Sequence, residues 1–225
     1  MKNVVVFANT IVGYNVLKLL KDDLLVNIKS IYLYDQYPDI NKKIIALFKE
    51  DSIIRKFESE KSFIDNLDRH SKIDFLISIY WPHLFSEIIL KHAINTINFH
   101  PAYLPTNRGW YPHVHSIIDG SILGVTLHQI TKGADEGKIW VQKKIEIPQF
   151  FTSMEAYSLL QNEIFEIFKT NFKKIINGEI MPFEQNHNAS NYHKKNELDK
   201  LDFIDIDNLQ YKNLINILRA RSFGN

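Results

Sequence analysis

The sequence predicts an α/β domain, a mostly parallel sheet flanked by helices, with a short C-terminal extension. Three observations carry that prediction. NVVVFA at 3–8 is continuously apolar, the pattern of a strand covered on both faces. A helical repeat and a second apolar strand follow within about 35 residues, the spacing of a parallel βαβ unit. IDFLISIYW at 73–81 is a second buried strand of the same kind. Together they describe a Rossmann-like architecture.

The elements read in order as follows. After the first strand, Val12, Val16, Leu19 and Leu20 recur at helical spacing within NTIVGYNVLKLLKD. SIYLYD is the second strand, ending at Asp35 before the turn signal Tyr37-Pro38-Asp39. Residues 41–49 read as a helix, and the charged stretch 51–70 as further helix. The strand at 73–81 leads to a helix over 84–92, then to the short strand TINFH. PAYLPTNRGWYP is a loop by its Pro, Asn and Gly content, and VHSIIDG a helix. SILGVTLHQI and GKIWVQKKIEI alternate as two antiparallel strands joined by the loop 131–136. A long amphipathic helix follows, with Thr152 or Ser153 as N-cap, Glu155 in the first turn and Gly178 as the stop. Residues 185–200 are polar, and QYKNLINILRARSF forms a closing helix. We divide the chain into a catalytic domain, 1–184, and an extension, 185–225, packed on it.

Composition narrows the function. At 45% hydrophobic, 12% aromatic and 24% charged over 225 residues, the chain has the content of a folded domain. No apolar run approaches the roughly 20 residues of a membrane span, and the N-terminus lacks the features of a signal peptide. With no cysteine, disulfides, thiolate zinc and thiol nucleophiles are excluded. The expectation is a cytoplasmic protein with no membrane partner. The 27 basic and 26 acidic residues balance, with no basic face, which argues against a nucleic-acid partner. Arginine occurs at only five positions, 55, 69, 108, 219 and 221, so each bears on anion recognition.

Two constellations fail on spacing. A dinucleotide fingerprint would need three glycines after the first strand, and only Gly13 stands there, although Asp35 sits where a ribose-binding carboxylate would. His83, His92, His100, His113, His115 and His128 crowd one third of the chain, yet no set has metal-ligand spacing, so no metal is expected. A third constellation is sharper. In TINFHP, Asn98 and His100 share one strand face while Ile97 and Phe99 share the other. Both polar groups fall at the carboxyl end of a strand, where open α/β sheets place ligands. An amide beside an imidazole suits chemistry that builds an oxyanion and moves a proton. Asp135, in the loop GADEG, can reach the same cleft. A satisfied strand end with a surface Asp is the bland alternative.

The run from Ile97 to Ile147 resembles the folate-dependent formyltransferase family. Asn98, His100 and Pro101, then Leu104-Pro105, Arg108-Gly109, Gly124, Thr126, His128, Asp135, Gly137 and Gln142, fall in that family's pattern and order. The resemblance implies the formyltransferase fold, with N10-formyltetrahydrofolate donating a formyl group to an amine. It implies Asn98, His100 and Asp135 as the catalytic trio, with no covalent nucleophile and no metal. It places the pterin between Tyr80, Trp81 and Pro82 on one side and Gly133 and Ala134 on the other.

Family members differ in acceptor. Those acting on methionyl-tRNA carry a further, basic C-terminal domain for which 225 residues leave no room. Those acting on glycinamide ribonucleotide carry a Gly-Ser-Asn loop where this chain has Ala8-Asn9-Thr10-Ile11. Members acting on nucleotide-linked amino sugars are most similar, through Asn107-Arg108-Gly109-Trp110 with Pro112, through Tyr192-His193 followed by Glu197-Leu198-Asp199, and through the ending LRARSF. Such chains usually continue past that Phe, whereas this one ends at Asn225. The implied function is formylation of a nucleotide-linked, expectedly dTDP-linked, deoxyamino sugar by a homodimer, in lipopolysaccharide O-antigen biosynthesis. Another small amine such as glycinamide ribonucleotide, or a non-catalytic nucleotide-binding module, is the alternative. Asn107, Arg108, Trp110, Tyr192 and His193 are the implied acceptor contacts. Loop bracing is the other reading of Arg108, and packing of the extension the other reading of Tyr192.

Overall fold

A computed structural model of the chain describes residues 1–48, 53–67, 72–186, 188, 190–202 and 211–224. Five strands run parallel: β1 (Lys2–Ala8), β2 (Val26–Leu33), β3 (Ile54–Lys56), β4 (Ile73–Ile79) and β5 (Ala93–His100). Two more, β7 (Gly124–His128) and β8 (Ile139–Lys144), extend the sheet antiparallel, giving the order β3-β2-β1-β4-β5-β7-β8. A separate parallel ribbon pairs β6 (Arg108–Gly109) with β9 (Tyr192–His193).

Both faces of the sheet are apolar, as the continuous runs require. Along β1, Val4, Val6 and Ala8 bury against one face while Val5 and Phe7 bury against the other. On the first face lie α1 (Thr10–Lys21), through Val12, Val16 and Leu20, and α6 (Ser153–Ile176), through Leu160, Ile164, Phe168 and Phe172. On the second lie Phe63 of α3 (Glu60–Asp65) and Ile89 of α4 (Glu87–Leu90), with Phe7 stacked on Tyr32 at 4.7 Å between centroids. Glu155 accepts from the Thr152 N–H at 2.8 Å at the start of α6, and Gly178, at φ +74°, follows its end. No helix among the described residues is long and apolar enough to cross a membrane.

Some elements differ from the sequence reading. α2 (Pro38–Phe48) begins at its proline rather than at residue 41. The expected helix over 51–70 is instead a strand and a short helix, with 51, 52 and 68–70 outside the described residues. Ile54 pairs with Ile31 as β3, and the capping box of Ser59 with Ser62 starts α3 afresh. Strand pairing at the open sheet edge overrides the charge-rich composition. The helix expected over 84–92 shrinks to α4.

Among the described residues, the extension meets the rest of the chain through a strand, a helix and the Gln185 side chain. β9 joins β6, and α7 (Tyr211–Arg221) lies against α5 (Pro112–Asp119). Arg219 Nε donates to the Phe151 carbonyl at 2.9 Å, and the Met154 N–H to the Ser222 carbonyl at 3.2 Å. For the site, the winding matters most. The order of strands reverses between β1 and β4, so their carboxyl ends splay into a crevice. The Asn9 amide bridges it by donating to the Tyr80 carbonyl at 3.1 Å.

Candidate active site

A cleft of about 1160 Å³ opens along the carboxyl ends of β1, β4 and β5. Register builds its floor. Asn98 pairs with His128 and His100 with Thr126 across β5 and β7, so their side chains share the cleft face while Ile97 and Phe99 enter the core. The loop 129–138 between β7 and β8 then folds back over that floor and delivers Asp135.

Asp135 is held from several directions. Its Oδ1 lies 3.5 Å from His100 Nδ1, 3.4 Å from His128 Nε2 and 3.5 Å from Asn98 Nδ2. Its Oδ2 accepts from the Gly109 N–H at 2.9 Å. The Gln185 side chain donates to the carbonyls of Asp135 and Gly137 at 2.9 and 2.6 Å, which fixes the loop from below. Asp135 itself sits at φ +55°, a conformation that costs about 1–3 kcal/mol and is kept only where the surroundings impose it. Tyr80, Asn107 and Tyr111 have positive φ as well.

Hydrogen bonding sets the proton positions. The Asn107 carbonyl can only accept, so His100 Nε2, 3.2 Å away, carries the ring proton and Nδ1 bears the lone pair. The Gln129 carbonyl, 2.7 Å from His128 Nδ1, likewise fixes the proton there, leaving His128 Nε2 to accept from the Asn98 amide at 3.1 Å. Burial lowers the His100 pKa below the ordinary imidazole value, against the opposing pull of Asp135. For Asp135, burial works upward, yet the pull of the facing His100 and His128 rings when they carry a proton, with the Gly109 N–H, outweighs it and holds the carboxyl well below its usual range. The resting pair is therefore a neutral imidazole beside a carboxylate. On taking up a proton, His100 donates from both nitrogens, to Asn107 and to Asp135, so the site is arranged as a proton acceptor.

Tyr80, Trp81, Pro82, Gly133 and Ala134 all line the cleft. Trp81 also packs edge-on to Phe7 at 5.0 Å, and the Tyr80 hydroxyl is buried without a hydrogen-bond partner among the described residues. Of the expected acceptor contacts, Trp110 and Tyr192 line the cleft, while Asn107, Arg108 and His193 do not. Asn107 is fully buried, donating to Ser116 Oγ and Ser121 Oγ at 2.8 Å each. Arg108 pairs with Glu136 at 2.8 Å, bracing the loop that carries Asp135. His193 turns inward to Glu197 and Asn107. The polar atoms of these three are engaged at or beside the β6–β9 ribbon and not in the cleft lining.

The sequence reading did not assign roles to His128, Gln185 or Lys195. His128 was visible only as a motif letter, since its placement depends on the β5–β7 register. Lys195 lies 5.1 Å from the Trp110 ring and lines the same cleft wall, a cation that the polar segment around it concealed. His115, His193 and Glu197 bring possible metal-ligating atoms within 4.8 Å of one another. The two imidazoles are stacked at 3.5 Å and 8°, so their in-plane lone pairs run side by side instead of converging on one ion.

Comparison with known proteins decides the family. The model of the formyl transferase family matches residues 35–168, more than half of the chain, a span holding Asn98, His100 and Asp135. The chain belongs to the formyl transferase family. One relative is the dTDP-4-amino-4,6-dideoxyglucose formyltransferase of Mycobacterium tuberculosis, 29% identical over 150 residues that cover 66% of this chain and 63% of that one. The match thus spans less than two thirds of that formyltransferase's length. A 4-N formyltransferase from Francisella tularensis superposes with a TM-score of 0.83 at 25% identity, covering 97% of this chain and 87% of the other. The N-formyltransferase of Helicobacter canadensis, solved with folinic acid and dTDP-3-aminofucose, shares the fold with a TM-score of 0.78 at 19% identity, covering 98% and 80%.

Proposed function

We propose that this formyl transferase family member moves the formyl group of N10-formyltetrahydrofolate to the amino group of a dTDP-linked deoxyamino sugar. The observation that carries the reading is the convergence of Asn98, His100 and Asp135 at the crevice floor. Fold stability asks for no such trio, and fold alone would not establish an activity. The Mycobacterium tuberculosis relative, a dTDP-4-amino-4,6-dideoxyglucose formyltransferase, supports a sugar acceptor.

The neutral amine attacks the formyl carbon, whose carbonyl pair moves onto oxygen. Asn98 holds that oxyanion: its N–H toward Asp135, at 3.5 Å, is the weaker of its two bonds and the one free to turn. His100 takes the proton from the attacking nitrogen at Nδ1, and Asp135 steadies the imidazolium. The oxyanion then collapses, the bond from the formyl carbon to N10 breaks, and N10 takes the proton from the His100 imidazolium, which returns to its neutral form. The products are the formamido sugar and tetrahydrofolate. Tyr80, Trp81, Pro82, Gly133 and Ala134 border the folate end, and Trp110, Tyr192 and Lys195 the nucleotide end, where Lys195 faces the diphosphate. The reading includes a homodimer, a cytoplasmic location and a place in lipopolysaccharide O-antigen biosynthesis, each resting on the family resemblance.

The test is incubation with formyltetrahydrofolate and a panel of dTDP-linked 3-amino and 4-amino sugars, with mass spectrometry of the sugar. A gain of one formyl group on a member of the panel is expected. No gain on any sugar, with formylation of glycinamide ribonucleotide instead, overturns it.

A further inference from the structure

His193 and Glu197 lie outside the cleft, yet they end on the residue that orients its base. Glu197 Oε2 accepts from His193 Nδ1 at 2.9 Å. With its proton on Nδ1, His193 accepts at Nε2 from Asn191 Nδ2 at 3.2 Å, beside Asn107 Oδ1. Asn191 closes the circuit, donating to Asn107 Oδ1 at 2.9 Å while its own oxygen accepts the Asn107 backbone N–H. Asn107 is thereby bonded at every polar side-chain atom, at a φ of +56° that asparagine enters more readily than most residues. Its carbonyl is the one that faces His100 Nε2. Two residues on, Gly109 in the same ribbon gives its N–H to Asp135. The ribbon therefore aims two of the three catalytic groups.

We propose that His193, seated by Glu197, is a positioning residue for the catalytic imidazole: it holds Asn191, and through it Asn107, so that the Asn107 carbonyl keeps the proton on His100 Nε2 and leaves Nδ1 as the basic atom. The inference rests on the formyl-transfer reading for its kinetic arm only. Which imidazole nitrogen carries the proton is set by the bond the other side makes, and a loosened carbonyl lets the ring populate the unproductive tautomer. His115, stacked on His193, confines the ring to the plane that reaches both Glu197 and Asn191.

The experiment compares His193→Ala, His193→Gln and Glu197→Ala with the unaltered protein. In the kinetic arm, His193→Ala lowers kcat about ten- to a hundredfold, the cost of a small misplacement of a catalytic group. Both KM values stay within about twofold. His193→Gln, whose terminal amide oxygen can still accept from Asn191 Nδ2, recovers most of the rate. In the second arm, nitrogen-15 NMR of labelled histidines, with His100 assigned by its loss in His100→Gln, reads the tautomer without substrate. The unaltered protein shows the Nε2–H form, and His193→Ala shows a mixture. If His193→Ala does not fold, Glu197→Ala carries both arms, with a smaller change of the same kind. An unchanged kcat, a rise in acceptor KM alone, or an unchanged His100 tautomer overturns the proposal. Absence of transfer in the unaltered protein would instead overturn the formyl-transfer reading, while the NMR arm still decides the clamp.

Discussion

Asn98 and Asp135 flank one imidazole, and their roles separate by measurement. Asn98→Ala removes an oxyanion donor, so kcat falls about a hundred- to a thousandfold with folate affinity nearly unchanged. Loss of folate affinity with intact kcat would assign Asn98 to binding instead. Asp135→Asn removes the charge that supports the His100 proton, so its already lowered pKa falls further. The active form has a neutral His100, and activity is lost as pH drops through that pKa. The acid limb of the kcat/KM profile therefore moves to lower pH in Asp135→Asn, beneath a lower plateau; a limb moving upward contradicts the assignment. Arg108 answers to its partner Glu136 rather than to the cleft. Arg108→Lys is expected to lower kcat or weaken both substrates alike, because Lys cannot reproduce the planar fork. A rise in acceptor KM alone would restore Arg108 as a direct ligand contact.

The ribbon of β6 and β9 is the element on which the site hangs. Gly109 sits there at φ +88°, and a Cβ on it would collide with the His193 carbonyl oxygen. Gly109→Ala is expected to cost about 1–3 kcal/mol in denaturant unfolding, through strain at positive φ, and to lower kcat by displacing the N–H that holds Asp135. Unchanged stability and rate would show that the ribbon is dispensable. Sequence patterns made some elements legible and not others. β1 and β4 are long apolar runs, β5 shows in the alternation of TINFH, and α6 carries both its capping residue and its glycine stop, so local pattern suffices. β3 borrows its structure from pairing with β2 and has no apolar signal of its own. β6 and β9 are two residues each, joined across more than eighty residues of chain, which no local pattern reveals. The same limit hid His128, whose nearness to Asn98 is a fact of register. Asn98, His100 and Asp135 were legible because strand alternation and a family pattern coincide on them.

For the whole molecule, buried histidines set the acid limit of stability. Burial, with His115 nearby, lowers the His113 pKa to about 4, and its Nδ1 is buried without a partner among the described residues. The folded value lies below the ordinary 6.5, so between the two the unfolded chain binds more protons. The stability this histidine contributes is complete above about pH 6.5 and is lost as pH falls toward 4. His113→Phe is expected to flatten the stability–pH curve in that window by up to about 1.4 kcal/mol per pH unit. An unchanged slope in urea unfolding across the window would show that His113 is protonated in the folded state. Around that frame, seven strands and two helical layers serve to open one crevice, and the central claim is that a proton moves to His100 on its floor. The most direct test is the single-turnover rate of formyl transfer in the unaltered protein and in His100→Ala, with folate-analogue affinity measured on the same samples. The account predicts a rate lower by about two to four orders of magnitude, with affinity within about twofold; an unaltered rate in His100→Ala would contradict it.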